Sequence, residues 1–363
     1  MKYHLVFLLV CIYSAFTFAN DGAFFAKGNQ LIPISETQIS VQKEILTLKN
    51  INHQTIEVVV YYEFFNPGNE KKITVGFEAF SPTGDVNGTP KDGRHPYMRD
   101  FTVAINENIL EHQIAYVQDS AYAKDGIIKS QSLSEIKSGI IDENNVDFYY
   151  VYYFDTTFKK GINKIKHTYT YDLSGSVEFA YEFEYVLTAA NRWANKQIDD
   201  FTLIIDMGNF ESFSIEKSFF NTASDWLMNG LGKSTAILGV PNSLIEKDAV
   251  KFFIQKGNLI FQKNNFKPTG ELFLYAQNYF NTSISEYIPF SLYFQNSIPT
   301  PSNEFEKRIL KNLPFARRGY IFKSTELQSY FEKLDWYLPN PNYVADVDQL
   351  LETEKEWVEL WNH

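Results

Sequence analysis

Cysteine is almost missing from this chain. Of 363 residues only Cys11 carries a thiol, and it sits in an apolar stretch near the N-terminus. That excludes a disulfide-stapled scaffold and a zinc centre built on paired thiolates. Histidine is scarce as well. His4, His53, His95, His112, His167 and His363 stand apart, with no His-x-His or His-x-x-x-His spacing to hold a metal on one strand or helix face. There is no Gly-x-Ser-x-Gly elbow and no complete phosphate loop, so α/β-hydrolase and P-loop chemistry have no support. Gly230-Leu231-Gly232-Lys233-Ser234 carries the tail of such a loop without its spacing, and reads as a turn. No cofactor or metal is implied.

Positive charge is also short: 33 Lys and Arg stand against 44 Asp and Glu, a formal net charge of −11. Phosphate backbones are held by basic patches, so nucleic acid is not an expected partner, and the acidity serves solubility. Lys2, an apolar stretch from Leu5 to Ile12 and the Thr17-Phe18-Ala19 end predict a secretory signal peptide over residues 1–19. Cys11 would leave with it. A lipoprotein reading needs a small residue before the cysteine, and Val10 is there. No later segment reaches the ~18 apolar residues of a membrane span. The expected location is therefore secreted or periplasmic, with no transmembrane segment after the signal is removed.

What is abundant is aromatic: 32 Phe and 23 Tyr against 4 Met. Such side chains favour the pleated surface of a sheet. Short strands separated by turn clusters run from Gln38 to about Phe294, including 54–66 before Asn66-Pro67-Gly68, and 176–187. A chain longer than the ~250–300 residues one core usually supports predicts several domains. The expected fold is mainly β: two antiparallel β-sandwich (Ig-like) domains, 20–175 and 176–298, followed by a small α-helical C-terminal module. Residues 118–146 are polar and read as an insertion with one short helix around Ser132–Lys137. In 176–187, Val177, Phe179, Tyr181, Phe183, Tyr185 and Leu187 alternate with Glu178, Glu182 and Glu184, which predicts one aromatic face and one solvated acidic face. Alternatively, two of these acids could serve glycoside hydrolysis. The run Phe148–Phe154 is nearly all aromatic, and a row of its tyrosines could stack on sugars.

The C-terminal sixty or so residues change character. Ser302 and Asn303, followed by Glu304 and Glu306, offer caps for a helix start, and Phe305, Ile309, Leu310 and Leu313 recur at helical spacing up to Pro314, which should close the helix. Ser324 caps a second helix carrying Leu327, Tyr330, Phe331 and Leu334, ended by Pro339 and Pro341. Asp346 opens a third stretch, with Val347, Leu350, Leu351, Trp357, Val358 and Trp361 on one stripe. Between the first two lies Phe315-Ala316-Arg317-Arg318-Gly319-Tyr320-Ile321-Phe322, followed by Trp336-Tyr337. This segment, 302–363, resembles the YARHG domain, whose Tyr-Ala-Arg-His-Gly core reads here with Phe315 for Tyr and Arg318 for His. The resemblance implies a bacterial extracellular setting and no established activity. The body resembles a bacterial secreted family of unknown function on Asn20-Asp21, Phe65-Asn66-Pro67, Tyr185-Val186-Leu187-Thr188, Trp193 and Ile198-Asp199-Asp200-Phe201.

The candidate binding or motif residues are Phe315, Arg317, Arg318, Gly319, Tyr320, Phe322, Trp336 and Tyr337. An arginine beside glycine and aromatics commonly stacks on a ring or bonds a helix-end carbonyl, while its planar fork also suits carboxylate or phosphate. The expectation is a non-enzymatic bacterial cell-envelope or secreted protein that binds a cell-wall polymer, glycan or envelope protein through its C-terminal module. The alternative is a cell-wall or glycan hydrolase whose acidic residues converge only in the fold.

Overall fold

The computed structural model describes residues 30–33, 38–82, 86–118, 128–140, 146, 148–279, 283–292 and 300–362. The expected signal peptide, with Cys11, lies outside the described residues, as does His363. Among the described residues no helix is long and apolar enough to cross a membrane.

The body opens with β1 (Gln30–Pro33), β2 (Ser40–Asn50), β3 (Thr55–Asn66) and β4 (Lys71–Phe80). In β3 the β-branched and aromatic residues Ile56, Val58, Val60, Tyr62 and Phe64 are all buried at every second position, which makes the strand and sets its face. Next come β5 (Met98–Ile105), β6 (Asn108–Leu110), β7 (Gln113–Val117) and helix α1 (Leu133–Gly139). Ser132 caps α1 in a capping box with Glu135, so the short helix expected inside the polar insertion is present. The aromatic strand β8 (Tyr149–Phe158) and β9 (Gly161–Asp172) follow, then β10 (Phe179–Tyr185), a 3-10 turn Leu187–Arg192, β11 (Ile198–Asp206) and β12 (Glu211–Glu216). The last strands are β13 (Trp226–Ile237), β14 (Ala249–Phe266) and β15 (Leu272–Gln277).

The chain is mainly β. One sheet has the order β1-β4-β8-β7, and a larger one runs β10-β15-β12-β14-β11-β2-β3-β9-β5-β6, with β13 paired to β14. The expectation of two separate sandwiches meeting near residue 175 is corrected here. The parallel pair β2–β11, which sets Leu46 opposite Leu203, stitches both sequence halves into one sheet. A buried cluster reaching from Ile39 to Ala276 fills the space the sheets enclose. Alternation reports which face of a strand is buried but not which neighbour it will choose, so this join left no local mark.

A further correction concerns β13: the Gly230–Ser234 segment read as a turn lies inside this strand, which pairs along its length with β14. Gly230 (φ 146) sits opposite Gly257 (φ 102), and a Cβ on either would come within 2.0 Å of the Lys256 carbonyl oxygen or 2.1 Å of the Asn229 carbonyl oxygen. Glycine is required at both because the two backbones touch where the hairpin bends. The end of the strand-rich stretch, expected to reach about Phe294, falls outside the described residues.

The C-terminal segment holds α2 (Glu304–Arg317), α3 (Thr325–Phe331) and α4 (Glu352–Leu360). Its core of Ile309, Leu310, Leu313, Phe331, Trp336 and Trp357 also takes in Phe253 from β14 and Ile284, Ile288 and Phe290 from the preceding segment. The helical unit is therefore packed onto the sheet rather than hung from it.

Candidate functional site

Helix α2 starts as its sequence dictates: the Asn303 side chain accepts from the Glu306 N–H at 2.9 Å. It does not stop at Pro314 but carries it inside, ending at Arg317. A proline there lacks the N–H that would bond the Leu310 carbonyl. That carbonyl accepts instead from the indole Nε1 of Trp357 in α4, at 2.6 Å. The open side of the proline thus becomes the seat of another helix.

The helix end explains most of the aromatic-arginine motif. Gly319 sits in the left-handed region (φ 81), and its N–H bonds the Ala316 carbonyl while the Tyr320 N–H reaches back to that of Phe315. This is the Schellman arrangement, completed by packing of Tyr320 on Phe315. A Cβ at Gly319 would lie 2.2 Å from the Leu338 carbonyl oxygen, so the position needs glycine twice over.

The arginines at the last turn both turn to Glu354 of α4. Arg317 donates from Nη2 to Glu354 Oε1 at 2.7 Å. Arg318 donates through Nη1 to Oε1 at 2.7 Å and through Nη2 to Oε2 at 2.6 Å. Arg318 Nη1 also bonds the Pro314 carbonyl at 2.8 Å. Glu354 is 1% exposed and Arg317 3%. Burial by itself would raise the Glu354 carboxyl, but the Arg318 hydrogen bonds, the Arg317 charge and the Leu351 N–H outweigh it and hold it below its ordinary value. Burial pushes the Arg317 guanidinium down to about 10, against the pull of Glu354.

The sheet covers this clamp with one ring. Phe210, in a left-handed turn (φ 58) before β12, lies 4.5 Å from the Arg317 guanidinium carbon and 4.4 Å from that of Arg318. Gln255 of β14 donates to the Arg317 carbonyl at 2.5 Å, and Arg317 Nη1 to that of Phe290 at 3.4 Å. Beside it stands Glu211, with Ser291 donating to its Oε1 at 3.2 Å and His53 Nδ1 3.3 Å from the same oxygen. Burial raises Glu211 to about 8, partly offset by the Ser291 hydrogen bond and the Arg317 charge.

The remaining motif residues also face inward. Trp336 Nε1 donates to the Ile288 carbonyl at 2.9 Å, the Tyr330 hydroxyl to that of Ile284 at 2.5 Å, and the Tyr337 hydroxyl to that of Tyr320 at 2.7 Å. Phe322 stacks on Phe331 with ring centroids 4.9 Å apart. Of the eight candidates, Phe315, Arg317, Gly319, Phe322, Trp336 and Tyr337 are buried, while Arg318 and Tyr320 are half-buried. They form a clasp between α2, α4 and the sheet, not an accessible patch. The second helix ends at Phe331, ahead of the prolines expected to stop it. The third stretch divides into a 3-10 turn Val347–Gln349 and α4, with Val347 and Leu351 exposed rather than on the buried stripe.

In the body, the acidic face expected on β10 is not uniformly solvated: Glu182 is 3% exposed, and its N–H bonds the Ser174 carbonyl. A bulge at residues 179–181 shifts the alternation that the sequence pattern assumes. The tyrosine row of β8 is mostly internal, with Tyr150 and Tyr152 buried.

Sequence reasoning missed Glu44. A bulge between Val41 and Lys43 lets both Val41 and Glu44 point inward, and Glu44 pairs across the sheet with Tyr62. The Tyr62 and Tyr185 hydroxyls, 3.3 Å apart, hydrogen-bond its carboxyl. Burial raises that carboxyl to about 8 against those two hydrogen bonds. An acid in a strand whose other inward residues are apolar was the available signal.

No curated protein matches the chain. A solved structure of a candidate nutrient binding protein from Legionella pneumophila is 18% identical, with a TM-score of 0.48, covering 94% of this chain and 99% of that one. A Deinococcus radiodurans M1 zinc metallopeptidase is 10% identical at a TM-score of 0.28, with 66% of this chain matching 42% of the enzyme. Baculovirus P35 is 13% identical at 0.27, over 68% of this chain and 98% of that one. The helical clasp carries the family signal: residues 292–363 match the YARHG domain.

Proposed function

We propose that this is a non-enzymatic protein of the bacterial cell exterior, exported by its N-terminal signal, whose YARHG segment binds a protein partner of the envelope. The observation that carries the reading is the distribution of apolar side chains on that segment. The motif arginines and aromatics are enclosed, whereas Val344, Val347, Leu351 and Leu360 are 77, 48, 56 and 57% exposed along one stretch. Exposed Asp348, Glu352, Glu356 and Glu359 surround them. Exposed aliphatics among exposed acids suit a protein surface, whereas glycans are held by stacking on exposed aromatic rings, and Tyr343 and Trp361 of this stretch are half-buried. The acids select a partner with basic groups at its edge.

The test is retention of the full chain on envelope fractions, compared for wild type, Leu351→Asp, Val344→Asp and Arg317→Ala. Both aspartate variants are expected to lose the partner while keeping the wild-type unfolding midpoint. Retention of all partners by both would remove the reading. Loss only in Arg317→Ala, without destabilisation, would return recognition to the arginines.

A further inference from the structure

We propose that the pocket between β2, β3, β10 and the 187–192 turn takes an ammonium ion, with Glu44 as its counter-ion. Independently of the C-terminal reading, four features lead there. Glu44, Tyr62, Tyr185 and Trp193 line a pocket with Ala189 and Ala190 on its wall. The space suits a molecule about the size of water. Among the described residues no basic side chain forms an ion pair with Glu44, and its carboxyl is hydrogen-bonded by two phenols, Tyr62 and Tyr185. A buried carboxyl stays protonated unless a cation pairs with it, and here the fold supplies none beside a space where one fits.

The enclosure is built rather than incidental. Asn195 uses both ends of its amide on Val41, accepting from its N–H at 3.2 Å and donating to its carbonyl at 2.9 Å, which fastens the turn over the bulge. Small side chains at Ala189 and Ala190 leave the space that a larger residue would fill. An ammonium ion entering meets carboxylate and phenol oxygens as acceptors, with aromatic walls that favour a cation over a neutral molecule. Burial holds the empty pocket's Glu44 near a value of 8, so at neutral pH it starts protonated. The ammonium ion keeps its protons, and Glu44 releases its own to solvent.

The experiment measures thermal unfolding of the full chain at pH 7 in ammonium, methylammonium, potassium, sodium and tetramethylammonium chlorides at equal ionic strength. Calorimetric titration of ammonium in two buffers of different ionisation enthalpy runs beside it. The midpoint should rise with ammonium only, methylammonium being too large for a water-sized space, with net proton release on titration. Glu44→Gln, and Ala190→Val, which fills the space and leaves the acid, should each weaken the response about tenfold or more, equivalent to ~1.4 kcal/mol. Equal effects of all salts, or none, leave a structural water only and overturn the proposal. Potassium matching ammonium makes it a size-selected cation site and also overturns the proposal. Undiminished binding to Glu44→Gln overturns it as well. Should Glu44→Gln fail to fold, proton release by wild type together with Ala190→Val decides.

Discussion

The indole of Trp357 donates to the carbonyl of Leu310 at the point where Pro314 removes the helix's own donor. A defect in α2 and an anchor for α4 are therefore one contact. Trp357→Phe keeps most of the packing and orphans the carbonyl, for an expected loss of about 1–3 kcal/mol. Adding Pro314→Ala restores a donor within α2, so the double variant should lose less than Trp357→Phe alone. Urea midpoints of the four-member cycle measure the coupling, and strict additivity would sink this account.

Glu354 neutralises two guanidiniums at once. Glu354→Gln leaves both without a full counter-charge under Phe210, and a loss of roughly 3–5 kcal/mol is expected. Arg317→Lys should also be costly, because a point charge cannot bond Glu354 and the Phe290 carbonyl while stacking on the ring. Arg318, more accessible and doubly bonded to the same carboxylate, should tolerate His better than Ala. Chemical denaturation of the four variants ranks them.

Gly319→Ala faces both a left-handed backbone and a carbonyl oxygen 2.2 Å from the new atom. Gly161 shares the left-handed region (φ 90), but nothing lies within 4 Å of an added Cβ. Gly161→Ala should therefore cost about 1 kcal/mol and Gly319→Ala clearly more. Equal unfolding midpoints would contradict the close approach.

Stability should be highest in mildly acidic solution. Burial raises Glu44 and Glu211 from 4.5 to about 8, so across that interval the folded state retains protons that the unfolded chain has released. Their contribution is fully present below about 4.5 and is lost as pH rises to about 8. Burial lowers His95 to about 4 and His167 to about 3 from 6.5, so their contribution is lost as pH falls below 6.5 through those values. The two trends oppose each other between about 4.5 and 6.5 and leave a plateau there, with falling stability on both sides. A melting series from pH 3.5 to 8.5 tests this. Glu44→Gln and Glu211→Gln should flatten the alkaline side without touching the acid side.

Much of the strand pattern was legible because period-two burial is local: Ile56 to Phe64 in β3 reads directly as a half-buried strand. The cap residues Ser132, Asn303 and Ser324 were legible for the same reason, since a cap acts within one turn. What did not show was partnership. Nothing in Ser40–Asn50 announces that it will lie parallel to Ile198–Asp206, and nothing around Arg317 names Glu354 as its partner. Proline was read by its average effect, whereas Trp357 supplies the donor that lets α2 continue past it. Gly230 looked like part of a turn, because the reason for glycine there is the backbone of the other strand. Glu44 was passed over because a lone acid in a strand is ordinarily a surface residue.

The β2–β11 pair joins Lys43 to Asp200 across 157 positions of sequence. The larger sheet cannot be completed early, because the second strand beside β2 emerges only after more than half the polypeptide has been made. Loop closure over such a span is slow relative to local hairpin formation. The long-range pair thus acts as a timer, since the larger sheet locks only once the second half of the chain has arrived.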